Sequence, residues 1–209
     1  MQLPFGKSTS IIGLDIGSAS VKAVELTSKA KGIELQHVGV AKLPPEAIVQ
    51  GAFLNSSAIV DAIREAVDGA GTRTKNVATA VSGHSLIVKK ISLPSMTRDE
   101  LEESIRWEAE QYIPFDINEV NLDFQILNSG ETEGQMEVLL VAAKKDLIDD
   151  YVNVIAEAGL HSTVLDVEAF AVENAFEANY EIGADEVVAL ADIGAQVVNI
   201  NVVANGIPA

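Results

Sequence analysis

Asp15 and Asp192 each close a strand-like apolar run, and each is followed by Ile-Gly: Asp15-Ile16-Gly17-Ser18-Ala19-Ser20 and Asp192-Ile193-Gly194-Ala195-Gln196. A carboxylate suits a magnesium ion. The backbone N–H groups of a glycine turn, free to adopt positive φ, suit the phosphate that such an ion accompanies. One copy alone is weak, since a given tripeptide turns up by chance in roughly one chain in twenty of this length. Two copies in matching strand–turn–strand settings, 192 − 15 = 177 residues apart, point to two related subdomains facing one nucleotide. A carboxylate ending a buried strand is costly unless a cation or hydrogen-bond donors meet it. Asp15 and Asp192 are therefore the metal-binding and catalytic candidates; the competing reading of each is a turn-forming Asx residue.

Gly17, Ser18, Ala19 and Ser20 line the first turn, and small side chains there let a phosphate approach. Gly194, Ala195 and Gln196 line the second, with fewer hydroxyls. Lys22 lies two residues past the first turn, where it reads either as a cation folded over a β-phosphate or as an exposed strand lysine. Glu168 opens a helix just before the second motif. It could orient a water for attack on a γ-phosphate, or simply compensate a helix dipole. His37, His84 and His161 show no ligand spacing, so no zinc site is expected, and neither a Ser-His-Asp set nor a full Walker-type phosphate loop, which needs a glycine five positions before its Gly-Lys-Ser/Thr, is evident.

Trp107, the only tryptophan, marks a second region. On a helical wheel Leu101, Ile105, Ala109, Tyr112 and Ile113 form the apolar face, while Trp107 falls among Glu100, Glu103, Glu110 and Gln111. An aromatic inside an acidic stripe suits a basic-plus-apolar peptide; the alternative is that Trp107 packs on a neighbouring subdomain. The formal charge of −17 argues against nucleic acid and against anionic membranes. It favours a basic peptide or basic protein face, or is merely a soluble acidic surface. No uncharged apolar run reaches the roughly 18 residues of a membrane span, and the first ten residues read as no secretory signal. With no cysteine in the chain, disulfides and thiolate metal sites are excluded.

The elements that must position these residues follow from periodicity. Strands are expected over 10–16, 20–27 and 33–42, with a hairpin turn at 28–32, then a helix from about Ser56 capped by Asn55 or Ser56 and stopped by Gly69 and Gly71. Strands at 77–81 and 85–93 precede a helix opened by the Thr97–Glu100 capping box, which runs to about Ile113 and is broken by Pro114. Strands at 121–127 and 136–142, a helix at 146–158, a strand at 162–167 and a helix at 168–179 lead to the second motif. The organisation read from this is residues 1–73 as the first part of one subdomain, 74–159 as an inserted α+β module, 160–185 as the return and connecting helix, and 186–209 as the start of a second subdomain. Asn205-Gly206 after a strand signals a hairpin, so a return strand is expected and the second domain reads as truncated.

The two motifs, the Lys seven positions after Asp15, and Val167-Glu168-Ala169-Phe170-Ala171 together resemble the actin-like ATPase superfamily, an α/β fold of ribonuclease H-like subdomains. The insertion resembles that of the FtsA and PilM groups. Phe5-Gly6-Lys7 and Trp107-Glu108-Ala109-Glu110-Gln111-Tyr112-Ile113-Pro114-Phe115 are similar to the PilM family of cytoplasmic type IV pilus assembly proteins. That resemblance implies ATP and Mg2+ as cofactors, with Asp15, Glu168 and Asp192 at the catalytic centre. It implies the cytoplasmic N-terminal tail of PilN as partner, docking near Trp107, Tyr112, Ile113 and Phe115, and a place between inner-membrane and motor components in twitching motility, with self-association compatible. ATPase activity is expected to be weak at most, because Ala195 replaces a glycine common in the superfamily. Nucleotide binding by these 209 residues is expected to be weak or absent, because adenosine contacts should lie beyond Ala209. The alternatives are a sugar-kinase-like enzyme, a nucleotide-free scaffold like GspL of type II secretion, or an FtsA-like division adaptor.

Overall fold

The computed structural model describes residues 10–29, 32–128, 134–181, 183, 186–204 and 207–208. The first half of the chain holds strands β1 (Ile12–Ile16), β2 (Ser20–Lys29), β3 (Gly32–Lys42), β4 (Ile48–Val49) and β5 (Ala52–Phe53), helix α1 (Ser56–Ala70), then β6 (Asn76–Val81), β7 (Leu86–Pro94) and α2 (Arg98–Ala109). The remainder is β8 (Val120–Asn128), β9 (Gln135–Lys144), α3 (Lys145–Glu157), β10 (His161–Val167), α4 (Glu168–Glu177), β11 (Val187–Ile193), β12 (Val198–Ala204) and β13 (Ile207–Pro208). Two compact units emerge. One comprises Met1–Val81, Asp150–Ala171 and Ile193–Val198; the other comprises Ser82–Asp149, Val172–Asp192 and Asn199–Ala209.

The first unit is built on a five-stranded sheet of order β10-β6-β1-β2-β3. The antiparallel meander β1–β2–β3 follows from short turns, and the parallel strands β6 and β10 each return after a helix. β6, read above as the start of the insertion, pairs with β1 in this sheet. Ile59, Ile63, Ala66 and Val67 bury one stripe of α1, whose ends are fixed by Asn55 Oδ1 accepting from Ala58 N at 3.1 Å and by Gly71 at φ 71°. The helix lies so close to β3 that a Cβ on Gly39 would sit 1.9 Å from the Ala66 carbonyl oxygen. Glycine is thus required at 39 by proximity, not by dihedral angle. The Glu25 carboxylate ties the end of this layer, accepting from the Thr72 and Thr74 hydroxyls.

In the second unit β7, β9 and β8 form an antiparallel sheet whose inner face, with Leu101, Ile105 and Ala109 of α2, encloses Ile91, Val138 and Leu140. The capping box is present: Thr97 Oγ1 accepts from Glu100 N at 3.3 Å and Glu100 Oε2 from Thr97 N at 2.8 Å. The helix ends at Ala109, one turn before the expected Ile113. Pro114 disfavours helical dihedrals in the residue before it, so the last turn tightens, with Tyr112 N and Ile113 N both donating to the Ala109 carbonyl at 2.9 and 3.0 Å. β11, β12 and β13 form a separate small sheet. Its last pairing, Val203 with Pro208 and Ala204 with Ile207, is the return strand expected after Asn205-Gly206; the turn itself, like residues 30–31 of the 28–32 hairpin turn, falls outside the described residues.

Candidate functional site

The parallel strands set the site. Leu14 of β1 and Leu165 of β10 both lie level with Thr79 of β6, and Val167 with Val81, so Asp15 and Glu168 emerge at the carboxyl ends of the two strands that flank β6. That edge is where open α/β sheets bind ligands. Thr79 Oγ1 donates to the Leu14 carbonyl at 2.8 Å, fixing β6 against β1 just behind Asp15. The alternation of β1 buries Ile12, Leu14 and Ile16 and turns Gly13 and Asp15 outward. Asp15 is therefore not a buried strand end: its side chain is 57% exposed, and the desolvation argument made from sequence does not hold. Lys22 lies directly across the β1–β2 hairpin, and its Nζ donates to Asp15 Oδ2 at 2.6 Å. This cross-strand pair is the structural form of the lysine that the sequence left between two readings.

Glu168 is half-buried at the first turn of α4. It converges with Asp15 on a residue the sequence reading passed over, Tyr151 of α3. Burial pushes the Tyr151 phenol up to about 12, and the negative charges of Glu168 and then Asp15 push in the same direction. The phenol is thus held neutral beside two carboxylates, a ready hydrogen-bond donor. Its ring packs on Phe53 of β5 with centroids 4.7 Å apart. Nothing in the spacing of Tyr151 marks it; only the sheet order brings it here.

The two glycine turns close alike. Gly17 N donates to Ser20 O at 3.1 Å, and Gly194 N to Val197 O at 3.0 Å. Neither glycine takes the positive φ expected of it. What each supplies is the missing Cβ: one at 17 would stand 3.3 Å from Ser20 O, and one at 194 would stand 2.9 Å from Val197 O. Leu43 N donates to Ala19 O at 2.9 Å, so with Ser20 O also engaged, the protein itself occupies the acceptors of the Ser18–Ser20 turn. In the second turn Gln196 Nε2 donates to the Ile48 carbonyl at 3.2 Å, which ties that turn to the β4–β5 hairpin. Glu46 and Gln50 adopt positive φ beside this hairpin, at 65° and 51°, a strained segment the sequence did not announce. Asp192 is the last residue but one of β11, belongs to the other unit and is half-exposed. Among the described residues no three acidic or imidazole groups form a metal cage. A magnesium ion here would take one or two carboxylates and complete its shell with phosphates and water, the usual habit of that ion.

Around α2, Trp107 is 76% exposed. Ile113 is 7% exposed within the core, and so presents no surface to a peptide. Tyr112 and Phe115 pack partly against that core, each under a cation: Lys89 Nζ lies 5.3 Å from the Tyr112 ring centroid and Lys144 Nζ lies 4.8 Å from that of Phe115. Arg106 donates to the Ile117 carbonyl at 3.1 Å, anchoring the segment that carries them.

Residues 13–207 match the family model described as type IV pilus assembly protein PilM. The chain is 34% identical to the matched chain of a structure of a PilM–PilN type IV pilus biogenesis complex, with a TM-score of 0.84, over 95% of this chain and 59% of that one. It thus spans about three-fifths of that relative's length. The cytoplasmic domain of EpsL, an inner-membrane component of the type II secretion system of Vibrio cholerae, superposes with a TM-score of 0.57 at 13% identity, over 94% of this chain and 68% of that one. The ethanolamine utilization protein EutJ from Carboxydothermus hydrogenoformans gives 0.51 at 17%, over 99% and 51%. These last two share the fold alone, the actin-like α/β fold expected from the sequence.

Proposed function

The chain belongs to the PilM family of type IV pilus assembly proteins, and we propose that it works as a cytoplasmic adaptor. In this reading it binds ATP with Mg2+ at the Asp15 edge and the cytoplasmic N-terminal tail of PilN on the α2 face, linking inner-membrane components to the pilus motor. No helix among the described residues is long and apolar enough to cross a membrane, so in this reading membrane contact comes through the partner. The observation that carries the nucleotide half is the convergence of Asp15 and Glu168 on the neutral Tyr151 phenol at the carboxyl ends of β1 and β10.

Asp15 and Asp192 would reach the ion, directly or through water, while the turns Gly17–Ser20 and Gly194–Gln196 would face the phosphates. Bound magnesium would supply positive charge against the phosphate oxygens. Lys22, leaving or sharing Asp15, would face the same anion. Glu168 is placed to hold a water, and Tyr151 to donate a hydrogen bond that keeps its carboxylate oriented. A second reading, a nucleotide-free scaffold, is favoured by one observation: Lys22 already neutralises Asp15 at 2.6 Å. Titration of the full-length protein with ATP and Mg2+, with Asp15→Ala alongside, separates the two. Binding lost in the variant supports the adaptor reading; equal binding moves the site away from Asp15.

For the partner half, Trp107 is the exposed aromatic anchor, and Tyr112 and Phe115 flank it in sequence. Cytoplasmic tails of bitopic inner-membrane proteins are rich in Lys and Arg, which complements the acids of α2. Apolar anchors would supply most of the affinity and charge most of the on-rate. Trp107 fluorescence during titration with a PilN-type N-terminal peptide at low and high salt is the measurement. A response that survives Phe115→Ala and high salt unchanged would place the peptide elsewhere.

A further inference from the structure

One short segment of the first unit touches both glycine turns. Residues 43–55 run from the end of β3 through the β4–β5 hairpin to the start of α1. At the first of them, Leu43 N donates to Ala19 O of the first turn at 2.9 Å. In the middle, the Ile48 carbonyl accepts from Gln196 Nε2 of the second turn at 3.2 Å. Ile48 faces Phe53 directly across the hairpin, and the Phe53 ring packs on that of Tyr151 with centroids 4.7 Å apart. Tyr151 in turn lies where the charges of Glu168 and Asp15 reach it. All of these residues belong to the same compact unit.

The hairpin is held tightly in this arrangement. Leu43, Ala47 and Ile48 are buried. The Ala47 carbonyl accepts from both Leu54 N and Asn55 N, at 2.9 and 3.2 Å, which closes the segment onto the residue that caps α1. Within it Glu46 and Gln50 sit at φ 65° and 51°. Non-glycine residues keep such angles only where the surrounding contacts outweigh the strain. A packed, strained segment of this kind moves between discrete arrangements and does not deform smoothly. Gln196 is exposed, yet its amide is turned to the hairpin. We propose that Gln196 is a positioning residue: by holding Ile48 it seats Phe53 against Tyr151, and so passes the state of the second glycine turn to the phenol beside Glu168 and Asp15. The link itself needs no ligand; only what the phenol then does rests on the nucleotide reading. The competing role for Gln196 is the direct one, in which its amide meets a phosphate. A ligand at either turn would act on the other through the same contacts, the reciprocity that binding free energies obey.

Fluorine NMR of the full-length protein labelled with 3-fluorotyrosine reads the link directly, with the Tyr151 resonance assigned by its loss in Tyr151→Phe. Gln196→Met keeps a neutral side chain of similar length at an exposed position but cannot donate. Its thermal melt should stay near wild type while the Tyr151 resonance moves by more than its linewidth. In a Phe53→Leu background, where the ring contact is gone, Gln196→Met should move that resonance no further. An unmoved resonance, or an equal movement in both backgrounds, would overturn the link. Titration with ATP and Mg2+ is the second arm. Gln196→Met should weaken binding about 2–30-fold, the range over which residues along a packed chain modulate a distant site, and should weaken it no further in a Tyr151→Phe background. Native affinity in Gln196→Met would overturn the positioning role. So would a loss of the same size in the Tyr151→Phe background, which would make Gln196 a direct phosphate ligand. If the wild-type protein binds no ATP while the Tyr151 resonance still follows Gln196, the nucleotide reading fails and the positioning link survives.

Discussion

Gly17 and Gly194 close their turns with hydrogen bonds of 3.1 and 3.0 Å, yet the residue seven positions after the aspartate is Lys22 in one motif and Asn199 in the other. The backbone repeats and the charge does not. In the first turn a lysine across the hairpin holds Asp15, with Tyr151 and Glu168 nearby. In the second, the turn is held from outside, by Gln196 on the Ile48 carbonyl. A hairpin of this shape needs only a glycine lacking a Cβ at its close point. What the turn can do chemically is decided by the residues facing it, which a three-residue motif does not contain.

The largest effect that tests this difference is on ligand affinity. In a chain as long as the 34%-identical relative, where the adenosine contacts are expected, Asp15→Ala should weaken Mg2+-dependent ATP binding by about 10–100-fold, the usual cost of losing a group that orients a metal's shell. Asp192→Ala should cost less, because among the described residues no ion pair with a lysine is found at Asp192 like the one at Asp15. Isothermal titration of both variants gives the ratio. Equal losses would mean that the two turns contribute alike and that Lys22 is incidental.

Next in size is the cost of adding a Cβ to each glycine. At 194 it would stand 2.9 Å from a carbonyl oxygen of its own turn, and at 17 it would stand 3.3 Å away. Gly194→Ala should lose about 1–3 kcal/mol, as overpacked sites do, and Gly17→Ala clearly less, because a shift of a few tenths of an ångström relieves it. Urea denaturation of the two variants ranks them; the reverse order would show that the second turn is the looser one.

The strand pattern, the capping box at Thr97 and the helix started by Asn55 were all legible, because each depends on residues within four or five positions. The doubled motif was legible as strand–turn–strand for the same reason. Tyr151 was not, since its role depends on α3 and β5 meeting near the end of β1, and no local spacing encodes that. The outward direction of Asp15 is written in the alternation Ile12, Leu14, Ile16, whose phase puts position 15 on the face away from the core; the expectation of a buried strand end does not use that phase. Ile113 is buried, as its place on the apolar face of the wheel requires; only the resemblance put it in a peptide site, and a shared motif does not say which of its residues face outward. The strained hairpin at 46–51 escaped because Glu46 and Gln50 are residue types that rarely take positive φ.

Two carboxyls, one in each unit, should give opposite pH effects. Hydrogen bonds from Thr72, and then Thr74, hold Glu25 below its ordinary value of 4.5 despite some burial. Its stabilisation is present above 4.5 and is lost as the pH falls from there through the depressed folded value. Burial raises Glu173 above the same value, Glu177 adds to this, and a 2.9 Å hydrogen bond from Asn201 opposes it. For Glu173 the folded state favours the proton, so stability falls as the pH rises from 4.5 to the raised folded value. Glu173→Gln should therefore stabilise the protein at pH 7, on the order of 1 kcal/mol, and make no difference near pH 3. Glu25→Gln should destabilise at pH 7 and converge with wild type in acid. Thermal melts from pH 3 to 8 resolve both.

The smallest expected effect bears most directly on the two turns. The Lys22–Asp15 pair is short, but both side chains are about half exposed to water, where attraction is screened and the ordering of a lysine side chain offsets much of it. Lys22→Ala should therefore cost only about 0.2–1 kcal/mol of stability, shrinking toward zero in molar salt. Asn199→Ala should show no comparable salt dependence, having no charge to lose. If the lysine serves mainly the hairpin, that small stability change is all that the variant shows. If it serves an anionic ligand, Lys22→Ala should also weaken ATP binding by several-fold more than it weakens the fold, and Lys22→Arg should recover part of the loss. A Lys22→Ala variant with native ATP affinity would leave the lysine as a cross-strand brace and nothing more, and would remove the main chemical difference claimed between the two turns.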